Sequence, residues 1–326
     1  MLRGMTLSRR HLLALAAALP ALARNAAAQT YPDRPVRVVV GFPAGGSVDI
    51  FARIIGQSLS EQLGQQFVIE NRPGASGNIA AELVARAVGD GYTLLAVGVN
   101  NATNAALYDN LKFDFLADIV PITSTVRGVG VLVVNPALPA TSLAEFIAYA
   151  RANPGKINMG SSGTGTPQHL YGELFMQMTG ISMVHVPHRG SPQSLTGLLA
   201  GDTQVMFDTL STSIEHIKSG RLRALGVTSA QRIAALPDVP ALSEAVPGYE
   251  ATSWLGFGAP KGTPADIVEK LSRAINAALA TASVQSRIAA TGYTPFMSSP
   301  AEFRAHIAAE TEKWGKVIRA AHIRVN

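Results

Sequence analysis

Three glycine-rich stretches carry the residue types in this sequence that most favour ligand binding. They are GFPAGGSVD at 41–49, NRPGASGN at 71–78 and SSGTGTP at 161–167, and each follows an apolar run and precedes a segment with helical spacing. The first N–H groups of a helix have no partner within the helix, and glycine allows another molecule to approach them closely. These stretches therefore favour the binding of a negatively charged group.

A small anion fits the first stretch better than a nucleotide does. Gly41 and Gly46 have the spacing of a phosphate-binding loop, but Ser47 stands where such a loop has the lysine that neutralises the phosphates. A carboxylate remains, and so does the alternative that Gly45 and Gly46 only form a turn while Ser47 caps the helix. The occurrence of three such stretches favours binding, because ligands of open α/β sheets bind at the carboxyl ends of the strands.

The residues that could do catalytic chemistry form weaker patterns. Ser161 or Ser162 with His169 could supply a nucleophile and a base, but the G-x-S-x-G pattern of hydrolases is absent. His185 and His188 have an HxxH spacing without a third ligand. The chain has no cysteine, which excludes thiolate catalysis, disulfides and cysteine-bound metals. We therefore predict no catalytic residue, no metal site and no cofactor.

Three further residues leave two interpretations open. Arg189 could hold a ligand carboxylate with two parallel hydrogen bonds, or it could be a solvated loop residue. Asp208 ends an apolar run, where it could order a water in the cleft or cap the next helix. Trp254 is expected to serve in packing rather than in stacking on a ligand.

The elements that must position these loops form two α/β series. Short apolar runs at 36–40, 67–69 and 93–97 alternate with helical patterns, which predicts parallel strands with helical crossovers. A second series begins near residue 130 with a strand at 131–134, and helices near 264–281 and 300–321 end the chain. We therefore expect two lobes, with the chain crossing between them near residues 130 and 251.

The amino terminus has the layout of an export signal. Residues 1–28 begin with arginines, continue with an apolar stretch from Leu12 to Ala23 and end in small residues. That stretch is shorter than the ~20 residues needed to span a bilayer, and Ser8-Arg9-Arg10 loosely resembles a twin-arginine signal. Without residues 1–28, the count of Lys and Arg falls from 27 to 23, against 22 Asp and Glu. This near-neutral balance gives little basis for nucleic-acid binding.

Together, the motifs resemble those of a known family of receptors. YPDRPVRVVVGFPAGGSVD, VIENRPGASGN, NPGKINMGSSGTGT, HVPHRG, VMFDT and LPDVPALSEAVPGYEATSW follow one another from about Tyr31 onward. In this order they resemble the Bug (Bordetella uptake gene) family, the extracytoplasmic substrate-binding receptors of tripartite tricarboxylate transporters. The resemblance covers essentially the whole chain after the export signal.

The resemblance implies a fold and a function. The fold is the α/β periplasmic-binding-protein fold, of the type II-like, Venus-flytrap kind, in which two lobes joined by two crossover segments close over a ligand. Lobe 1 would comprise residues 29–130 and 251–326, and lobe 2 residues 131–250. The protein would be a periplasmic monomer that delivers a small carboxylate to transporter membrane subunits. A ligand-sensing role with a sensor kinase and a periplasmic serine hydrolase are the alternatives.

The resemblance also implies which residues contact the ligand, mainly through backbone amides and waters. The implied contacts are Phe42, Ala44, Gly45, Gly46, Ser47, Ser76 and Gly77 in lobe 1, and Ser162, Thr164, Gly165, Thr166, Gln168 and Asp208 in lobe 2. The sequence departs from the usual family pattern at Ala44, Val48, His188 and Thr209. These departures bear on which carboxylate is bound.

Overall fold

The computed structural model describes residues 31–320 and 323–324, so the predicted export signal lies outside the described residues. The described chain contains ten β-strands and eleven α-helices. The strands are β1 (Val36–Val40), β2 (Phe67–Asn71), β3 (Thr93–Gly98), β4 (Ile119–Val134), β5 (Asn158–Ser161), β6 (Val184–Pro187), β7 (Val205–Thr209), β8 (Arg223–Val227), β9 (Thr252–Pro260) and β10 (Thr294–Pro295). The helices are α1 (Ser47–Leu63), α2 (Asn78–Ala85), α3 (Val99–Leu107), α4 (Phe115–Asp118), α5 (Leu143–Ala152), α6 (Pro167–Thr179), α7 (Ser191–Ala200), α8 (Leu210–Lys218), α9 (Ala265–Ala280), α10 (Ala282–Ala289) and α11 (Pro300–Ala320).

The first three strands form the parallel series that the sequence predicts. Strand β1 pairs in parallel with both β2 and β3, with Val38 opposite Ile69 on one side and Leu94 on the other. Helix α1 connects β1 to β2 and buries Phe51 and Ile55 against this sheet. The carboxyl ends of the three strands therefore lie at one edge, with the loops that follow them.

One long strand joins the two parts of the sheet. The sequence predicts a strand at 131–134, but β4 is continuous over 16 residues from Ile119. Its first part pairs antiparallel with β9, up to Val129 opposite Thr252, and its last part pairs antiparallel with β7 and β8 from Gly130 onward. We call β1–β3, β9, β10 and residues 119–129 of β4 the first sheet half, and β5–β8 with residues 130–134 the second sheet half.

Glycines mark the point where β4 changes partners. A Cβ at Gly128 would lie 2.0 Å from the ring of Tyr293, and a Cβ at Gly130 would lie 2.9 Å from the ring of Tyr171. Both tyrosines are buried against this strand. The absence of side chains therefore lets one aromatic residue from each side pack directly on the junction.

The second sheet half repeats the parallel arrangement. Strand β5 pairs in parallel with β6 and β7, and the overall strand order is β2-β1-β3-β9-β4-β7-β5-β6, with β8 and β10 also on β4. The β5, β6 and β7 strands each lead into a helix, α6, α7 and α8. Their carboxyl ends thus present a second set of helix starts.

The last helix returns to the first sheet half through a partly buried carboxylate. Glu310 of α11 accepts hydrogen bonds from the indole N–H groups of Trp254 (3.0 Å) and Trp314 (2.9 Å). Both indoles are buried, at 2% and 1% exposure. Among the described residues, no helix is both long and apolar enough to span a membrane.

We predict that Glu310→Ala destabilises the fold, because it leaves two buried indole donors without an acceptor. The free energy of unfolding should fall by about 2–4 kcal/mol, measured by urea denaturation. Glu312→Ala in the same helix is the matched control, since among the described residues Glu312 pairs only with the exposed Lys316. Equal stability of the two variants would contradict this role of Glu310.

Candidate functional site

Five helices begin around one cavity between the two sheet halves. Helices α1 and α3 follow strands of the first half, and α6, α7 and α8 follow strands of the second. The residues that precede these helices accept no capping hydrogen bond on their side chains; they are Gly46, Gly98, Thr166, Gly190 and Thr209. The cavity, including its opening, has an empty volume of about 480 Å³. The helix starts therefore direct main-chain N–H groups and positive dipole ends toward one space.

The cavity wall is polar in places, but none of the described residues that line it has a charged side chain. Its described lining residues are Phe42, Pro43, Gly46, Ser47, Val48, Val99, Asn100, Ser162, Thr166, Pro167, Gln168, Ser191, Pro192, Thr209, Ser253, Trp254, Leu255 and Tyr293. In α1, the first intrahelical bond runs from Ile50 N–H to Gly46 C=O, so the amides of the three residues before Ile50 have no acceptor within the helix. An anion here would be held by dipoles and amides.

Six of the thirteen sequence-predicted ligand contacts line this cavity. They are Phe42, Gly46, Ser47, Ser162, Thr166 and Gln168. The glycine-rich loops after β1 and after β5 therefore face the same space. Whether these residues contact a ligand stays a prediction.

A chain of hydrogen bonds orders the second-half wall. The Ser162 hydroxyl donates to Gln168 Oε1 (2.8 Å), and Gln168 Nε2 donates to the Ser191 hydroxyl oxygen (2.9 Å). All three residues are buried. Because Ser191 Oγ accepts from Gln168, its own proton is free to be donated into the cavity.

Four predicted residues of the first-half loops lie outside the wall. Ala44 is exposed, and the Gly45 N–H donates to Asp49 Oδ2 (3.0 Å). Ser76 and Gly77 lie behind the wall, where Ser76 C=O accepts from Asn100 Nδ2 (3.0 Å). The loop at 74–77 thus supports a lining side chain.

Asp49 fixes the first loop in place. Its carboxylate accepts from Arg53 (2.8 Å), Asn71 (2.9 Å) and Gly45. Burial opposes the charged form, but these hydrogen bonds outweigh it and lower the pKa of Asp49. The ionised side chain therefore holds the loop in place, and the only local sign of this role is an acid in the first turn of the helix.

The predicted residues Thr164 and Gly165 join the two sheet halves. Thr164 C=O accepts from the Ser76 hydroxyl (2.6 Å), and Gly165 C=O accepts from the Thr103 hydroxyl (3.0 Å). A Cβ at Gly165 would lie 1.8 Å from Leu107 Cδ1. The loop after β5 is thus in close contact with helix α3.

Asp208 is fully buried behind the wall. Its Oδ2 accepts hydrogen bonds from Thr212 (2.6 Å) and Ser213, and its Oδ1 has no partner among the described residues. Burial raises the pKa of Asp208, although the bonds from Ser213 and Thr212 oppose this shift. Its predicted contact with ligand through water is not tested by this geometry.

The candidate hydrolase pair is not formed. Ser162 Oγ bonds to Gln168, while His169 Nδ1 accepts from the Gly165 N–H (3.0 Å) and His169 Nε2 lies 3.2 Å from Glu173. Ser161 Oγ does lie 2.6 Å from His185 Nε2, but Ser161 is fully buried and does not line the cavity. Among the described residues, no cluster of three or more metal-ligating side chains is present.

Several wall residues were not selected from the sequence. Asn100 lies in the first turn of α3, which directly follows β3, and Ser191 begins α7 after the PHRG turn, so each had the signal of a strand followed by a helix. Trp254 packs as expected, yet it also lines the cavity. Tyr293 comes from a distant segment whose position no local pattern indicates. Arg189 is exposed and lies outside the wall.

Two stacked imidazole rings, one in α6 and one in β6, lie next to the loop after β5. The rings of His169 and His185 lie 3.7 Å apart and are nearly parallel. Burial, helped by His169 and His188, lowers the pKa of His185 to about 3. In the unfolded chain this pKa is near 6.5, so between those values the unfolded state binds the extra proton.

We predict that acid destabilises the protein partly through His185. As the pH falls from about 6.5 toward 4, the free energy of unfolding should decrease by up to ~1.4 kcal/mol per pH unit from this group. His185→Gln, which can still bond to Ser161, should show a shallower decrease in denaturant titrations at each pH. Because carboxylates titrate in both proteins, the difference between the curves isolates His185. Parallel curves would contradict the prediction.

Comparisons with known proteins agree with this geometry. Residues 51–323 match the sequence profile of the tripartite tricarboxylate transporter family receptor, TctC. BugT of Bordetella pertussis is 37% identical over 301 residues, which cover 91% of this chain and 92% of BugT.

Two solved structures of receptors with bound acids are similar to this chain. Rpa4515 of R. palustris, with adipate, is 40% identical with a TM-score of 0.88, covering 90% of this chain and 100% of that one. MatC of Rhodopseudomonas palustris, with bound malate, is 30% identical with a TM-score of 0.84, covering 88% and 100%. These matches confirm the predicted periplasmic-binding-protein fold and the family resemblance. The chain belongs to the TctC family of tripartite tricarboxylate transporter receptors, which includes the Bug proteins.

Proposed function

We propose that this protein is a periplasmic receptor that captures a small carboxylate in the cavity and delivers it to the membrane subunits of a tripartite tricarboxylate transporter. The observation that carries the proposal is the convergence of five helix starts without side-chain caps on a cavity whose described wall has no charged side chain. Such ends favour anions. The bound adipate and malate of the two related receptors support a carboxylate as the ligand class.

The proposed movement is a closure of two lobes, 29–130 with 251–326 and 131–250. The lobes would rotate at the two crossings, where β4 changes partners next to β9. The loops that line the cavity also touch across it: a Cβ on Gly190 would lie 2.7 Å from Pro43 Cδ. Binding and closure would then use the same segments, and the closed surface would be the form that the membrane subunits recognise. No residue is assigned a catalytic role.

A direct test of the ligand class uses a thermal-shift screen with adipate, malate and 1,5-diaminopentane. A carboxylate at ~100 times its Kd should stabilise the protein by roughly 2.7 kcal/mol, whereas the diamine should not. Stabilisation by the diamine or by sugars, with no shift from any acid, would refute the proposal.

We predict that Ser47→Asp abolishes carboxylate binding without loss of stability. A carboxylate at the first residue of α1 would occupy the helix start and repel the ligand, while it favours the helix by about 0.3–1 kcal/mol. Ser47→Asn is the matched neutral control and should keep most of the affinity. Isothermal titration would compare the carboxylate affinity of the two variants. Equal affinities would contradict the binding of an anion at this helix start.

We predict that Gly165→Ala weakens binding at least tenfold by opposing closure. The added methyl would strike Leu107 of α3, the helix that follows β3, so the closed form would be less populated and the apparent Kd would rise. Gly155→Ala is the control, because Gly155 has a similar φ (68° against 77°) and nothing within 4 Å of the added Cβ. Both variants should lose some stability from the positive φ. Only Gly165→Ala should also lose affinity in calorimetry, and equal affinities would contradict the closure contact.

A further inference from the structure

A buried carboxyl group lies directly behind the second-half wall of the cavity. Asp208 is the penultimate residue of β7, and Thr209, which follows it, lines the cavity and precedes α8. The Asp208 side chain is fully buried. Burial removes the water that would otherwise solvate its negative charge. The protonation state of Asp208 therefore bears on how the cavity can hold an anion.

The two carboxyl oxygens of Asp208 have different surroundings. Oδ2 accepts hydrogen bonds from the hydroxyl groups of Thr212 and Ser213. Oδ1 is buried and meets no donor at hydrogen-bonding geometry among the described residues, although Gln168 lies near enough to oppose the rise in its pKa. A carboxylate would leave a buried charge on Oδ1 without a donor, whereas a carboxylic acid places a proton on that oxygen. Burying an unpaired neutral hydroxyl costs less than burying an unpaired charge.

No positive side chain is known to compensate a charge at this position. Burial is the largest cause that shifts the pKa of Asp208 and raises it, and the described groups that oppose the shift are hydrogen-bond donors, with no Lys, Arg or His among them. The start of α8, next in the chain, favours the charged form through its dipole. The proposed ligand would use that same helix start. A bound anion and an ionised Asp208 would therefore compete for one positive end.

Tyr293 indicates that a charge on Asp208 is felt at the cavity wall. Burial is the main cause that raises the pKa of this lining residue, and the charge of Asp208 adds a smaller increase. Like charges that lie close together in a poorly solvated place raise the pKa of a carboxyl group. A carboxylate bound in the cavity would act on Asp208 in this way and favour its protonated form.

We propose that the binding of a carboxylate is coupled to the binding of one proton, which Asp208 carries on Oδ1. This inference rests on the proposed function. The proton removes a like charge from behind the wall and leaves the start of α8 to the ligand. Because linkage is reciprocal, a proton that strengthens anion binding is itself bound more tightly when the anion is present. The affinity for a carboxylate should therefore fall as the pH rises through the pKa of Asp208 in the unliganded protein.

Other titratable groups near the second-half wall keep one charge state above about pH 6.5. Burial is the main cause that lowers the pKa of His185 and of His188, so both stay neutral there. Burial raises the pKa of Tyr171 and Tyr293, so both keep their protons. A change in carboxylate affinity above this pH is thus expected from Asp208.

Isothermal titration from about pH 6.5 to about pH 9 tests the coupling with adipate or malate, whichever gives the larger thermal shift. Both acids stay ionised over this range, because carboxyl groups ordinarily titrate near pH 4. The Kd should rise by up to about tenfold per pH unit once Asp208 ionises in the unliganded protein. Titrations in buffers of different ionisation enthalpy should show proton uptake in the same range. A Kd that stays constant with pH would overturn the inference while the proposed function stands, and the absence of acid binding at every pH would overturn the proposed function as well.

Asp208→Asn assigns the proton to this residue. The amide imitates the neutral acid, because its oxygen can still accept from Thr212 and Ser213 and its nitrogen replaces the protonated Oδ1. The variant should bind the acid with an affinity that does not change with pH, and at about pH 9 it should bind at least about tenfold more tightly than the original protein. Asp202→Asn, at an exposed position of the same sheet half, should keep the original pH profile. A folded Asp208→Asn protein, verified by circular dichroism, that keeps the original profile or binds more weakly at about pH 9 would overturn the role of Asp208.

Discussion

The site depends on main-chain N–H groups that the protein's own side chains leave free. Gly46, Gly98 and Gly190 precede three of the helices and have no side chain with which to cap them. Thr166 precedes a fourth, but its hydroxyl is bonded to Gly163 C=O instead of to its helix. Side-chain caps at these positions would stabilise the helices by about 1 kcal/mol each, yet they would also occupy the groups that an anion needs. The cavity therefore keeps its donors in fixed positions at a cost to local stability.

The same loops that present these donors hold the two sheet halves together. Ser76 and Thr164, both predicted ligand contacts, form a hydrogen bond that joins the loop after β2 to the loop after β5. Gly165 of the loop after β5 likewise lies in close contact with Leu107 of α3. In the proposed function, a ligand at the helix starts would draw together segments that also contact one another directly. Capture and closure would then be coupled through short, specific contacts and would need no transmission through the core.

The sequence predicts the local elements well and their convergence only in part. Strand β1, helix α1 and the loop after β5 follow from apolar runs and glycine spacing, since these signals are local. Strand β4 was underestimated, because Pro121 and the glycines near residue 128 interrupt its apolar pattern while pairing with β9 sustains it. Tyr293 reaches the cavity only through its packing on Gly128, a contact between residues far apart in the chain. Periodicity carries no information about such contacts.

A cavity whose described wall has no charged side chain suits a receptor that must both hold an anion and release it. An arginine in the wall would make charge-assisted bonds about twice as strong as neutral ones, and it could follow the ligand as the lobes opened. Main-chain N–H groups cannot move in that way, because each is fixed by its helix and by the half of the sheet that carries the helix. Separation of α1 and α3 from α6, α7 and α8 would divide the positive ends between two surfaces and expose the ligand to water. In the proposed receptor, the affinity would then be set by the distance between the two sheet halves, and opening alone would be sufficient to release the ligand.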